Sequence, residues 1–529
     1  MRKLPLLALS VLMCGMLCSG CEKKEPEIPK APEKTEEKDS EKDPEQTGDT
    51  TEEKTPEEEN PQTTPEQMSE LFKKLTNGVL RGEQAIDVRE FHIPQTKADS
   101  IYQQFLAETP LLFHLKMSGN IGYRTDIDNP ENLKAFLPRY AVNPSHMQDV
   151  FPQMEESLAE YYSQLDYRMT APKIAYTLYQ KVCKEVIYGQ MNEEYPYLAY
   201  SAFSAVGVFL PKKAVCQGYS LSYSLLMNGI GITTDYVTGQ ATNTQGHVWN
   251  RIYIDGNWYH ADATFDDAST QRQKNMSSIN KYFLCSDELF YTAFGHPRPH
   301  TNLAPRIYLK AGTRFDDESC VIRRYDANNR ITKTEALYAD GNWYYVSQKD
   351  EKMAIIKSDF SGSRRTVLRQ LQTDSRAGII DKLKLTQDRI YFIDHLDGSY
   401  HICSMNYDGS DFRKEKKISF IEASYDKLKF TQDESQPIHV YKGTVSLKAE
   451  LLLARLRLLY YHGEDDYFNL EQPQAKELEQ LIRKAETFLN DKHTDETQAD
   501  MLAKELKDKR KSYTCLLYTS PSPRDSTSS

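Results

Sequence analysis

Three residues near the middle of the chain have the types and spacing for thiol chemistry: Cys216, His247 and Asp262. Cys216 lies in AVCQGYSLSYSLLMNGIG (214–231), where Leu221, Leu225 and Leu226 supply a helical face and Asn228-Gly229 a stop. A cysteine in the first helical turn meets unpaired backbone N–H groups and the positive end of the helix dipole. Both favour the thiolate, the form that attacks a carbonyl carbon. Gly218 lets backbone or substrate come close. A thiol also needs a base to take its proton, and the base needs a group that fixes its tautomer.

His247 and Asp262 fill those roles through one hairpin. In TQGHVWNRIYIDGNWYHADATFDD (244–267), two strand-like runs flank Asp255-Gly256, a strong two-residue turn signal. Pairing Ile254 with Asn257 sets every later pair to the same sum, so Trp249 faces Asp262 and His247 faces Thr264. His247 and Trp249 share a face, which makes His247 and Asp262 diagonal neighbours about 7–8 Å apart at the backbone. A one-residue bulge at the turn would undo this parity.

Around the hairpin, APKIAYTLYQKVCKEVIYG (171–189) predicts a helix with Pro172 in its first turn and Gly189 at its stop. Residues 67–165 alternate helical and strand-like patterns. Helices are expected in SELFKKLTNGVLRG, which stops at Gly82, in KADSIYQQFLAETP, and over 147–165; strands are expected in PLLFHLKMSGNIGYRTDI. Further on, 341–363 and 388–410 align without gaps at an offset of 47, each as two apolar strands closed by a Gly-Ser turn. Residues 301–445 are therefore read as an antiparallel, propeller-blade-like β-repeat domain, and 446–512 as a charged helical region.

The 529 residues carry a net charge of −11, and 22–66 alone, with 17 acidic residues and 7 lysines, account for −10 of it. The remainder is near neutral, so no nucleic-acid partner is expected. Residues 22–66 also hold seven prolines and, prolines apart, only Ile28 and Ala31 as apolar residues, which predicts a disordered tether. Before it, Arg2 and Lys3 precede a short apolar run, Leu4 to Leu17, that ends in LCSGC. This start resembles the signal peptide and lipobox of bacterial lipoproteins. The resemblance implies cleavage, a lipid on Cys21, and an extracytoplasmic protein anchored to a bacterial membrane. Residues 515–529 (CLLYTSPSPRDSTSS) resemble translated sequencing-adapter read-through, and 513–529 are set aside as a non-native tail.

AVCQGYS, GHVWNRIYIDGNWYHADATFDD and KYFLCSDELF (281–290) resemble the transglutaminase-like superfamily, in particular its bacterial transglutaminase/protease-like branch. The resemblance implies an α+β, papain-like core over 166–300, preceded by an α/β segment over 67–165. It also implies a Cys-His-Asp triad at Cys216, His247 and Asp262, acting on a peptide or protein substrate, cell-wall peptides among them. Hydrolysis of peptide or amide bonds is expected. The alternatives are a crosslinking transglutaminase and a tethered binding or adhesion protein that uses the domain as a scaffold. The N–H of Cys216, with Tyr200 or Gln217, is expected to bind an oxyanion. No cofactor or metal is expected: His296 and His300 in HPRPH have a metal-like spacing but no third ligand. Asp266 and Asp267 are expected as solvated turn residues. Trp249, Trp258, Tyr259 and Cys183 are expected in packing roles. Five cysteines lie between residues 22 and 514, an odd number that leaves at least one thiol free.

Overall fold

In the computed structural model the described residues run from 65 to 513, interrupted by stretches of which 268–279, 300–308, 373–382, 425–442 and 462–472 are the longest. The N-terminal apolar run with Cys21, residues 22–64 and residues 514–529 lie outside them. The described residues are α+β: small antiparallel sheets interleaved with helices, and helices at the end.

The N-terminal segment holds α1 (Pro65–Leu80), β1 (Ile86–Asp87), α2 (Ala98–Glu108), β2 (Gly122–Thr125), β3 (Leu133–Leu137) and α3 (Met147–Tyr162), with the strands in the order β1-β3-β2. Residues 111–116 depart from the expected strand. They form turns with a single bridge, Leu115 to Tyr140. Leu112, Phe113, His114 and Leu115 are buried in succession, without the alternation a half-buried strand shows, and His114 meets the Tyr460 hydroxyl at 2.9 Å.

The helix predicted over 171–189 is α4 (Ala171–Glu185). It ends four residues early because Val186 is extended and β4 (Ile187–Tyr188) pairs in parallel with β5 (Lys213–Ala214). That ladder fixes the backbone just ahead of Cys216. Between the two strands lies the short α5 (Ala205–Phe209). Then come α6 (Cys216–Gly229), β6 (Thr234–Thr242), β7 (Gln245–Ile254), β8 (Asn257–Ala261) and β9 (Phe283–Cys285), the strands forming an antiparallel sheet in chain order. The β7–β8 register runs from Ile254↔Asn257 to Asn250↔Ala261 without a bulge, as the turn chemistry predicts. Asp255 (φ 49°) and Gly256 (φ 85°) both take the left-handed conformation that a type I′ turn demands.

The 47-residue repeat becomes two four-stranded meanders. The first is β10 (Leu337–Ala339), β11 (Asn342–Ser347), β12 (Met353–Ser358) and β13 (Arg365–Leu371). The second is β14 (Lys384–Leu385), β15 (Arg389–Leu396), β16 (Ser399–Asn406) and β17 (Arg413–Ile418). Even their irregularities repeat: bulges fall at Ile355/Ile356 and at Ile402/Cys403. Trp343, Tyr345 and Ile356 turn one face of the first meander into the main core. Tyr344, Val346 and Ile355 turn the other onto Ile390, Phe392 and Met405 of the second. The short α7 (Phe420–Ser424) adds Ala423 to the second meander's far side.

The chain ends in α8 (Gly443–Tyr461), α9 (Pro473–Asn490) and α10 (Glu496–Ser512). α8 is apolar on two sides. Leu452, Leu453, Leu456 and Tyr460 join the main core, while Leu447, Leu451, Ala454 and Leu458 pack with α9 and α10. Arg457 donates to Glu155 of α3 at 2.9 Å, and Arg510 pairs with Glu155 and Glu450 at 2.8 Å each. Tyr513, the first residue set aside with the tail, is buried, and its carbonyl accepts from Arg457 at 3.0 Å. Among the described residues no helix is long and apolar enough to cross a membrane.

Candidate active site

Cys216 is the first residue of α6, and Val215 before it is extended (φ −99°, ψ 177°). The Val215 N–H donates to the Ala202 carbonyl at 3.1 Å. Gly218 is required by backbone rather than by substrate, since a Cβ there would stand 2.5 Å from the Ala202 oxygen. Ser220 and Ser224 follow Cys216 at helical intervals of four, so all three share one stripe. That stripe is tied to β7. Ser220 Oγ donates to the Val248 carbonyl at 3.3 Å, and the buried Asn250 amide donates to the Ser220 carbonyl at 3.1 Å and to Ser224 Oγ at 2.9 Å. Small polar side chains let helix and strand approach closely and set the thiol's position relative to β7.

His247 lies on β7 and Asp262 directly follows β8. The His247 Nε2 to Asp262 Oδ2 distance is 2.6 Å, and both side chains are buried. The second carboxylate oxygen accepts N–H groups from Thr264 at 2.9 Å and Phe265 at 3.1 Å. Burial opposes charge on either partner, but mutual attraction outweighs it. His247 is raised well above the ordinary imidazole range, by Asp262 first and then by Cys216. Asp262 is held below the ordinary carboxylate range despite its burial, by His247 and then by His296. With Nε2 committed to Asp262, Nδ1 is the ring nitrogen left for the thiol.

His296 was not foreseen in this place. Its Nε2 reaches the same Asp262 Oδ2 at 2.8 Å. The segment that carries it lies along β6 through a bridge between Gly239 and Pro299, and Gly239 has no room for a Cβ against the Arg298 carbonyl or the Trp249 ring. A π-helical turn, Glu288–Ala293, presents Phe290, which stacks on His296 with ring centroids 3.8 Å apart. The aromatic run before HPRPH was the available signal of burial. His300 lies outside the described residues. His247, Asp262 and His296 place potential ligand atoms within 4.8 Å of one another, but both imidazoles aim Nε2 at a single oxygen. Hydrogen bonds occupy the space a cation would take.

Asp266 and Asp267 are buried rather than solvated. Asp266 accepts from the Tyr179 hydroxyl at 2.7 Å and the Tyr282 N–H at 3.0 Å, and burial pushes its carboxyl up to about 7. A second histidine–carboxylate pair stands across Trp249. The indole N–H donates to His260 Nδ1 at 3.2 Å, and His260 Nε2 lies 2.8 Å from Asp287 Oδ1. Trp249, Trp258 and Tyr259 are buried in packing roles. Among the described residues five cysteines are free. Cys183, Cys285, Cys320 and Cys403 are buried, and Cys216 alone is partly accessible. Of the expected oxyanion partners, Tyr200 is exposed, while Gln217 keeps a buried amide oxygen with no partner beside the thiol.

Residues 158–263 match the model of the Transglutaminase-like superfamily, so the chain carries a transglutaminase-like domain there. Cys216, His247 and Asp262 fall within the match, and His296 beyond it. Among solved structures, a TGase is similar at 15% identity over 31% of this chain and 50% of its own, with a TM-score of 0.19. A candidate cysteine protease from Cytophaga hutchinsonii is similar at 15% identity over 27% of this chain and 61% of its own, with a TM-score of 0.16. The chain thus spans between half and about three fifths of these two proteins' lengths. No curated protein matches it.

Proposed function

We propose that the chain is a cysteine-dependent acyl-transfer enzyme that hydrolyses peptide or amide bonds. The observation that carries this reading is the buried His247–Asp262 pair, with Cys216 at a helix start as the histidine's second partner. The Cys216 thiolate attacks the carbonyl carbon and forms a C–S bond. The His247 imidazolium gives its proton to the leaving amine as the C–N bond breaks. Water then attacks the thioester carbon, His247 takes its proton, and the C–S bond breaks to release the carboxylic acid and restore the Cys216 thiolate beside the His247 imidazolium. Asp262 orients the imidazole and balances its charge. Among the described residues no feature marks an amine acceptor site, and water is taken as the acceptor. The lipobox-like start adds an anchor: lipidated Cys21 holds the body outside the cytoplasm on an acidic tether, facing peptide or cell-wall substrates.

The test needs no known substrate. Iodoacetamide at pH 6 labels Cys216 in the full chain, read by peptide mapping, because an ordinary thiol with a pKa of about 8.5 hardly reacts there. A mass-spectrometric screen of peptides and cell-wall fragments then compares wild type with Cys216→Ala. Equal processing by both proteins would sink the enzyme reading and favour a tethered binding protein. Membrane partitioning of Cys21→Ser tests the anchor, which predicts release.

A further inference from the structure

We propose that His296 is a positioning residue: a second imidazole that holds the Asp262 carboxylate in place and takes up part of its charge, so that His247 can release its proton. The proposal rests on the function assigned above, but its geometry is independent of any substrate. Asp262 Oδ1 is held by two backbone N–H groups, and Oδ2 is shared by His247 at 2.6 Å and His296 at 2.8 Å. The carboxylate therefore cannot turn when His247 changes protonation state. His296 is held as firmly. Its ring lies against Phe290 at 3.8 Å and Trp249 at 4.7 Å, and its Nδ1 lies 2.9 Å from the Pro297 carbonyl.

The charge argument follows from the same contacts. A carboxylate with a single imidazole partner gives it its full attraction and makes it a stronger base. A donor on the shared oxygen weakens that pull. Asp262 and then Cys216 raise His247, and His296, its ring centroid 5.5 Å away, also faces His247 directly and opposes its charge. Asp262 in turn faces the carboxyl of Asp266 and the hydroxyls of Tyr179 and Tyr282, none of them cationic, and His296 faces His260. Both His296 nitrogens face acceptors, so its two contacts are met together by the imidazolium; burial holds this imidazole below its ordinary range, and Asp262 pulls the other way. His296 is thus the second cation-capable side chain on this carboxylate. His247 transfers its proton twice in each cycle, so moderating its basicity serves turnover.

The variants are His296→Phe, which keeps a flat ring and loses the donor, and His296→Gln, which keeps an N–H. Thermal melts identify folded protein. In full-length protein with ring-labelled histidine, NMR titration of His247 is expected to move upward by about one unit in His296→Phe and to return toward wild type in His296→Gln. The alkaline step of the Cys216 alkylation profile should move upward with it. A His247 titration unchanged in His296→Phe would overturn the proposal, as would the same shift in both variants, which would trace the effect to packing. Absent low-pH labelling of Cys216 would instead count against the enzyme reading, while the His247 titration still decides the role of His296.

Discussion

Two histidine–carboxylate pairs stand on either side of Trp249, and they do opposite things to a proton. In His247–Asp262 the acid is buried, its oxygens are saturated with donors, and the imidazole is raised. In His260–Asp287 the acid is about one-third exposed, and burial lowers the imidazole to about 4, with Asp287 too weak an opponent. The free nitrogen also differs. Nδ1 of His260 accepts the Trp249 indole N–H, which fixes a neutral ring whose Nε2–H donates to Asp287. In the proposed mechanism the second nitrogen of His247 serves Cys216. On the proposed mechanism, the comparison teaches that a histidine beside an acid can carry a proton when the acid is dry and the other nitrogen is open. With both nitrogens engaged by a tryptophan and an acid, the same side chain is a strut.

The largest effects should come from the open pair. Cys216→Ala and His247→Ala should each abolish thiol-dependent turnover, and His247→Ala should also remove labelling of Cys216 at pH 6. Asp262→Asn should fold and lose up to ~10⁴-fold in rate, by analogy with serine triads. Residual alkylation in Asp262→Asn but not in His247→Ala would confirm that the acid only orients; equal loss in both would break that distinction.

The closed pair should register in stability instead. His260 titrates near 4 folded and near 6.5 unfolded, so the unfolded chain binds the proton first. Its contribution is therefore complete above pH 6.5 and declines as pH falls toward 4, by about 3 kcal/mol for a gap of about 2.5 units. His260→Gln should flatten that acid-side decline in denaturant melts while leaving the pH profile of Cys216 labelling in place. A changed labelling profile would mean that the two pairs are coupled through Trp249. The smallest effect belongs to Trp249→Phe, which leaves His260 Nδ1 unpaired and part of a buried ring's space unfilled, and should cost about 2 kcal/mol.

Much of the site was legible because it rests on local rules. Asp255-Gly256 fixed the hairpin register, and register fixed the faces of His247 and Asp262. The helix start at Cys216 followed from an apolar stripe and a stop. The repeat showed itself as direct self-similarity, down to paired bulges. What stayed hidden was long-range. His296 reaches Asp262 across 34 residues, by a route that depends on a π-helical turn and a bridge to β6. The burial of Asp266 depends on Tyr179, 87 residues earlier. No periodicity reports such contacts. The run at 111–116 departs from a strand for the same reason: Phe113 stacks on Tyr460 and the Leu111 carbonyl accepts from its hydroxyl, contacts that reach across more than 300 residues.

The position of α8 sets a clock for folding. Arg457 and Glu155 are 302 residues apart in the chain, yet they share a buried ion pair, and Leu452, Leu453 and Leu456 complete a core begun before residue 100. At about 5–20 residues per second of synthesis, that gap corresponds to roughly 15–60 s in which the early helices lack their partner. Non-local closure of this kind is slow and leaves apolar surface open to aggregation. A chain cut short before residue 443 should therefore be a chaperone client, because the helix that closes its core is made about 300 residues after the helix it pairs with.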